Sequence, residues 1–521
     1  MSQRWKILIA VAVVALVFIG IWLATMHFQP TNEVEAYKKL LRAKGEKLEI
    51  AEVLPPAVPP EQNGADVVST AFTLFAPGGI DYSNLPTAMR MVAPGKAMIG
   101  WAQPDVRSYD FTNSWENVMA AAEANRPATE LLKQAMNFQA IDYQLDYHKG
   151  FEIRLAHLAP LKRSAQRLSA AAMCDLRNGD AASATTNLCA LLALVRGTHD
   201  ERTLISQLVR IAMASIAASA SWELLQSTNV TDAQLSLLQR SWERLEFVSG
   251  FEGAMLFERA SVVTSIRKLR SSKTDFDHLM GFYGGSGASV PTSSGDWLED
   301  AQNFAKAGLQ KAVLGGETFM WHASWSYSDE LRALQGQQIV LEAIREAKTN
   351  QILYPAYAKI TAQFAAMGIT NSTEDDTLFL DMPDLRWMFS ESILSLGNAV
   401  RKVMAAETCK RVIITAIALK RFQLKHGNYP ERFSELTPEF LASVPLDPVD
   451  GQPLRYRRNA GGTFLLYSIG GDGKDDGGDP SLGKGVTTPY FYWQNPRALD
   501  WVWPQPATAE EVQFFYDHPP K

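Results

Sequence analysis

The chain has 521 residues, of which 46% are apolar and 20% charged, and its net charge is −6. That length carries two or three domains with cores of their own, and the composition is ordinary globular usage. A mildly acidic net charge gives no support to nucleic acid as a partner, which wants a basic face.

At the N-terminus Arg4 and Lys6 precede an unbroken apolar run, Ile7–Ala24. As a helix this run spans about 27 Å, close to one hydrocarbon core. Trp5 and Trp22 lie near its ends, where interfacial anchors sit. A cleaved signal peptide has a shorter apolar core and a small-residue cleavage site. This run exits instead through Thr25-Met26-His27-Phe28. The expectation is an uncleaved signal anchor over residues 1–28, one transmembrane helix held in the bilayer by residues 7–24. The basic residues in front place the N-terminus inside and the bulk outside. In a bacterium that is the periplasmic side of the inner membrane.

Residues 29–65 read as a short charged helix, Glu33–Lys47, followed by a proline-rich stalk, LPPAVPPEQNGA (Leu54–Ala65). Successive prolines favour extended backbone, which would hold the body off the membrane. Residues 66–384 form the expected helical body. Leu155, Leu158, Leu161, Ala165, Leu168, Ala172 and Leu176 recur in steps of three and four, one face of a helix. Asn178-Gly179-Asp180 stops it, with Gly179 suited to a left-handed stop and Asp180 to capping the next helix. That next helix turns Ala184, Leu188, Leu191 and Val195 inward and ends at Gly197. A third, rich in small residues, opens at Asp200. Thr231 and Gln234 match a capping box for a fourth. Together these are antiparallel hairpins.

Residues 271–296 are a glycine- and serine-rich segment read as a mobile loop. Helices resume at Trp297–Leu314 and Ser328–Met367, with a break at Tyr354-Pro355. Asn371–Asp384 is an acidic connector, and a last long helix runs from about Leu385 to His426. Gly427 and Pro430 stop it. Two strand-like runs, Pro453–Arg458 and Thr463–Ile469, flank the hairpin signal Asn459-Ala460-Gly461-Gly462. Residues 486–521 are rich in aromatics and proline, too apolar for a free tail, and are expected to wrap back on the body, with a docking segment for a partner as the alternative.

Ordinary chemical signatures are missing. The eight histidines show no zinc spacing, and His148 and His157, nine residues apart, point about 180° apart on a helix. There is no G-x-S-x-G elbow, no Walker A pattern and no dinucleotide fingerprint after a strand. Cys174, Cys189 and Cys409 read as buried small hydrophobes, with a Cys174–Cys189 disulfide as the alternative. The segment with a recognisable purpose is YSIGGDGKDDGGD (Tyr467–Asp479), an acidic, glycine-rich loop. Its four aspartates repel one another unless a cation or Lys474 offsets them. Calcium accepts six to eight oxygens in forgiving geometry, and glycines let backbone wrap it. An EF-hand register fails, because Lys474 and Gly483 fall where ligands belong.

The ordered motifs Gly427/Tyr429/Pro430, Pro445/Asp447/Pro448, Gly451/Pro453/Tyr456 and Tyr467/Ser468/Gly470/Asp472/Gly473/Lys474 resemble the C-terminal domain of the major pseudopilin of type II secretion. The resemblance covers about 85 residues. It implies a long helix followed by a small antiparallel sheet over residues 385–485. It also implies a calcium ion held at Asp472, Asp475, Asp476 and Asp479 with help from backbone carbonyls. The pseudopilin processing site is missing, and the apolar helix lies far upstream, which argues against filament assembly. The whole layout resembles bacterial membrane-anchored proteins that carry this module after a helical domain.

The expected fold is therefore mainly α, built of helical hairpins, with a small C-terminal α+β pseudopilin-like module and one N-terminal transmembrane helix. The expected role is a structural or protein-interaction protein stabilised by calcium, with a protein partner. The alternatives are a cell-envelope hydrolase with a carboxylate-based site and a secretion or pilus-like component.

Overall fold

The computed structural model describes residues 3–75, 86, 88–107, 112–283, 317–369, 386–391, 393–482 and 498–518. Helices dominate it, and the small sheets gather mainly around the C-terminus. Residues 158–271 carry the predicted hairpins: α5 (Leu158–Arg177), α6 (Ala181–Gly197), α7 (Leu204–Leu225), α8 (Asp232–Glu243) and α9 (Val248–Ser271). The α5 stripe Leu161, Ala165, Leu168, Ala172 and Leu176 is buried as its spacing demands. Gly179 takes φ +78, a left-handed turn natural to glycine, and Asp180 then accepts from the Ser183 amide at 2.9 Å to start α6. On α8, Thr231 and Gln234 close both arms of the capping box. The third helix starts later than expected. Thr203 caps α7 through the Ser206 amide, while Asp200 is drawn to His199 at 3.0 Å.

Among the described residues, α7 is long and apolar enough to cross a membrane, but half of its apolar stretch is buried within the fold. Its small residues Ala217, Ala218 and Ala220 let α5, α6 and the last long helix approach closely, so it is read as a core helix. The three cysteines are buried and unbridged.

At the N-terminus, α1 (Gln3–Ala43) runs as one helix through Pro30, joining the expected anchor to the expected charged helix. The described side chains of its first half, among them Trp5, Val11, Val14, Phe18 and Ile21, are exposed. Its second half is not a linker. Val34 and Leu41 are buried against Val263 and Leu334. The proline-rich segment does not stand off the body either. Val53 packs beside Tyr147, Phe257 and Ala260, and Asn63 exchanges hydrogen bonds with the backbone of Asp142. Burial of these few apolar side chains and the Asn63 bonds outweigh the extended preference of the prolines.

Smaller helices precede the hairpins: α2 (Ala65–Thr73), α3 (Trp115–Ala124) and α4 (Arg126–Lys133). After α9 the expected loop at 271–296 begins with a helix, α10 (Lys273–Tyr283), because Phe276 buries its ring against Trp321, 4.7 Å between centroids. The remainder of that segment, the helix expected at Trp297–Leu314 and the connector at Asn371–Asp384 lie outside the described residues. The predicted break falls between α11 (Ser326–Asn350) and α12 (Tyr354–Ala366). The last long helix is α13 (Ile393–His426), and α14 (Ala509–Asp517) ends the fold.

Strands β1 (Arg90–Ala93) and β2 (Lys96–Met98) form a hairpin, and β3 (Val106–Arg107) pairs with β4 (Thr112–Asn113). β5 (Arg455–Arg458) runs antiparallel to β6 (Phe464–Ser468), as the hairpin signal between them requires. The tail does wrap back. β7 (Trp501–Val502) adds to β6, and β8 (Gln505–Pro506) joins β2 in parallel. Trp222 of α7 donates to the Pro504 carbonyl at 2.9 Å. The aromatic run at 490–493 lies outside the described residues. One hydrophobic core extends from Ala65 through α5–α9 and α13 to Trp503.

Two buried carboxylates lock the layers. Glu223 of α7 accepts from the Met89 amide at 2.7 Å and the Gly100 amide at 2.8 Å, holding both ends of the β1–β2 hairpin with one oxygen. Burial raises its pKa to about 8, against the lowering effect of those amides. A folded-state value above the unfolded one means that this contribution is full below about pH 4.5 and is lost as pH rises through 8. Glu223→Gln mimics the protonated acid. The melting temperature of this variant should fall less steeply than wild type between pH 5 and about 8.5. Glu46 carries the opposite sign. Burial opposes its charge, but Arg345, Arg259 and Gln338 hold its pKa down at about 2. Its stabilisation is present above pH 4.5 and is lost as pH falls toward 2. Glu46→Ala leaves Arg259 buried without its carboxylate and should cost about 3–5 kcal/mol in urea unfolding.

Candidate functional site

The acidic loop is built where α13, the β5–β6 hairpin and the returning tail converge. Asp447, in the Pro-Leu-Asp-Pro segment after α13, is 0% exposed. Its carboxylate accepts from the Val449 amide (2.9 Å), the Ser468 hydroxyl (2.9 Å) and the Ile469 amide (3.1 Å). This ties one motif to another: the buried aspartate fixes the end of β6 where the loop departs. Nearby, Tyr456 donates to the Pro430 carbonyl at 2.6 Å and stacks on Phe433, so the turn after α13 is fastened to β5. Burial raises the pKa of Asp447 in spite of its donors.

The loop itself is held from the tail. Asp500 is 1% exposed and accepts from the amides of Gly478 (2.8 Å), Asp479 (3.1 Å) and Asp476 (3.5 Å). In return the Asp500 amide donates to the Asp479 carbonyl at 2.9 Å. Burial pushes the Asp500 carboxyl up to about 6. Gly473, at φ +73, lets the loop lie on the ring of Tyr354, where a Cβ would come within 2.5 Å of a ring carbon. Tyr354 and Leu353 also donate backbone hydrogen bonds to Val449 and Pro448. The module is thereby docked on the break between α11 and α12.

The four aspartates singled out in the sequence do not act alike. Asp475 accepts from the Tyr467 hydroxyl (3.0 Å), the Gly477 amide (3.0 Å) and Arg455 (3.2 Å). Slight burial opposes its charge, but these donors hold the carboxyl below the usual range. Asp472 accepts from the Lys474 amide (3.0 Å), and Asp479 from the Ser481 amide (2.9 Å), each within its own turn. Asp476 is exposed and enters the bonding through its backbone amide. Arg455 gathers Asp450 (2.7 Å), Asp475 (3.2 Å) and Asp447 (3.3 Å), so a guanidinium rather than Lys474 supplies the countercharge here. Among the described residues no group of three or more His, Cys, Asp or Glu side chains is arranged to hold a metal ion. The loop offers its carboxylates singly, not as a shell.

A second polar cluster surrounds the α6–α7 connection. His157 and Glu201 lie 2.9 Å apart, Tyr143 packs its ring on His157 at 4.3 Å, and Tyr147 accepts from the Arg202 amide. These bonds fasten the connection to the segment before α5. The pairing of His157 with Glu201, 44 residues away, comes from tertiary contact alone.

Asp500 and Arg455 were missed in the sequence. Asp500 lies 21 residues beyond Asp479, and no local pattern marks it. Arg455 sits in the strand next to Tyr456, where alternation suggests only a solvent-facing charge. Comparison with protein-family models, curated proteins and solved structures yields no match for the chain.

Asp500 and Asp475 separate in their expected energetics. Asp500→Ala orphans backbone amides on both sides of Gly477 and should cost about 3 kcal/mol. It should also speed hydrogen exchange at residues 476–479. Asp475→Ala removes a half-exposed ion pair and should cost less than about 1 kcal/mol. Urea unfolding with exchange read by mass spectrometry measures both.

Proposed function

We propose that the protein is a single-pass membrane protein with a structural or protein-interaction role, its body on the extracytoplasmic side. The observation that carries this reading is α1. The described side chains of its first half are apolar and exposed, and its second half is built into the core. Exposed apolar side chains on a helix of that length are stable in lipid and costly in water. Arg4 and Lys6 ahead of the apolar run support an inside N-terminus at the inner membrane.

A structural role is supported by how the buried carboxylates are used. Glu223, Asp447 and Asp500 accept backbone amides that join separate elements, and Asp329 of α11 does the same for Phe389 and Ser390, both at 2.8 Å. Carboxylates committed in this way brace a scaffold. The docking of the pseudopilin-like module on Tyr354 supports a role as a brace within the body, in preference to an end-to-end assembly unit.

Calcium belongs to this reading as a stabiliser of the acidic loop at Asp472, Asp475, Asp476 and Asp479, as the resemblance implies. Full-length protein in detergent should melt higher in millimolar calcium than in chelator, since a ligand of the folded form alone raises stability. Asp472→Ala/Asp476→Ala should abolish the difference. Equal melting in calcium and chelator would remove calcium and leave the loop to Arg455. For the membrane reading, carbonate-washed membranes should retain the full chain, and protease added to spheroplasts should digest the body. Recovery of the chain in the soluble fraction would overturn it.

A further inference from the structure

α1 does not leave the body alone. Residues 317–320 are helical and lead through the π-turned segment Trp321–Trp325 into α11, which lies alongside α1. The pairing is parallel. His27 meets the Ala323 carbonyl at 2.7 Å and the Tyr327 ring at 5.6 Å. Further along, Lys38 pairs with Glu330 at 2.6 Å and Lys44 with Glu342 at 3.3 Å. Both helices therefore advance in the same direction from the end of the apolar run.

This register sets heights. Phe319 lies four residues before Ala323, roughly 6 Å back along the axis. The same step back from His27 on α1 reaches Leu23, the penultimate residue of Ile7–Ala24. Phe319 is 55% exposed and Phe28, one residue past His27, is 60% exposed. Two large aromatic rings thus stand uncovered on two adjacent helices, Phe319 level with the end of the apolar run and Phe28 roughly 7.5 Å further along the axis. Just above them Trp325 is half-buried, and the guanidinium of the exposed Arg386 lies 4.9 Å from its ring. Aromatic rings backed by a cation have the chemistry of a membrane–water interface, where amphipathic rings and basic groups meet lipid headgroups.

We infer that the body rests directly on the bilayer through a collar formed by Phe28, Phe319 and the Trp325–Arg386 pair, which enters the headgroup layer of the outer leaflet beside the anchor. The inference rests on the membrane reading of α1 and deepens it. The anchor is continued by a second insertion point, so the body is held at a set height and orientation and is not tethered on a stalk.

The test uses the full chain reconstituted in phosphatidylcholine/phosphatidylglycerol vesicles. Single cysteines at Phe319→Cys, Phe28→Cys, Val14→Cys and the distant exposed Leu237→Cys are labelled with an environment-sensitive fluorophore. The native cysteines are buried, and unsubstituted protein gives the background. Lipids carrying a quencher near the headgroup or deep in the acyl chain then report depth. The collar predicts blue-shifted emission and shallow quenching at 319 and 28, deep quenching at 14, and water-like emission without quenching at 237. Deep quenching at 14 with 319 and 28 behaving like 237 overturns the collar and leaves the anchor standing. Water-like behaviour at 14 overturns the anchor and the collar together. Two collar positions are labelled so that loss of fold at one leaves the other to decide, with far-ultraviolet circular dichroism as the check.

Discussion

Arg259 has no exposed side-chain surface, and a buried guanidinium is tolerable only when it is paired and fully bonded. Glu46 meets it at 2.7 Å, Gln338 accepts from it at 2.7 Å, and the Lys47 carbonyl at 3.1 Å. Glu46 also takes Arg345 and Gln338 of α11. One carboxylate just past the end of α1 thus joins α1 to α9 and α11. Because its charge is required to satisfy Arg259, the turn at residues 44–47 cannot drift without orphaning a buried cation. The direction in which α1 leaves the body follows from that constraint.

The same logic recurs across the molecule. Glu223 clamps both ends of the β1–β2 hairpin, Asp329 fixes the segment before α13, Asp447 fixes the exit of β6, and Asp500 holds the acidic loop. In each case a side-chain acceptor satisfies backbone amides that no helix or strand ladder reaches. A chain this helical needs such fasteners, since its irregular connections have few ladders of their own. The tail adds another. By pairing with β6 and β2 it closes the C-terminal module against a hairpin from residues 90–98. The first and last thirds of the chain therefore belong to one core.

The acidic loop shows how a charge pattern is resolved by context. Four aspartates in eight residues suggest a cation shell when read along the chain. In three dimensions Arg455 arrives from β5 and Asp500 from the tail. The first neutralises Asp475, and the second absorbs the loop's amides. The loop's shape is then supported by contacts with partners outside it.

Much of the architecture was legible in the chain because its cause is local. The α5 stripe, the Gly179 stop, the Asp180 cap, the Thr231 capping box, the break before Tyr354 and the β5–β6 hairpin each depend on residues within one or two turns of each other. The start of α7 was misplaced because two nearby caps competed, and Asp200 was captured by His199. The return of the tail was legible from its aromatic content, since that much apolar surface does not stay in water. What tertiary structure alone decided is everything that joins distant residues. The packing of the proline-rich segment, the helix at 273–283 and the roles of Glu46, Glu223, Arg455 and Asp500 all depend on partners from tens to hundreds of residues away. A buried charge or an unpaired amide states what it needs, but only the folded chain determines which residue supplies it.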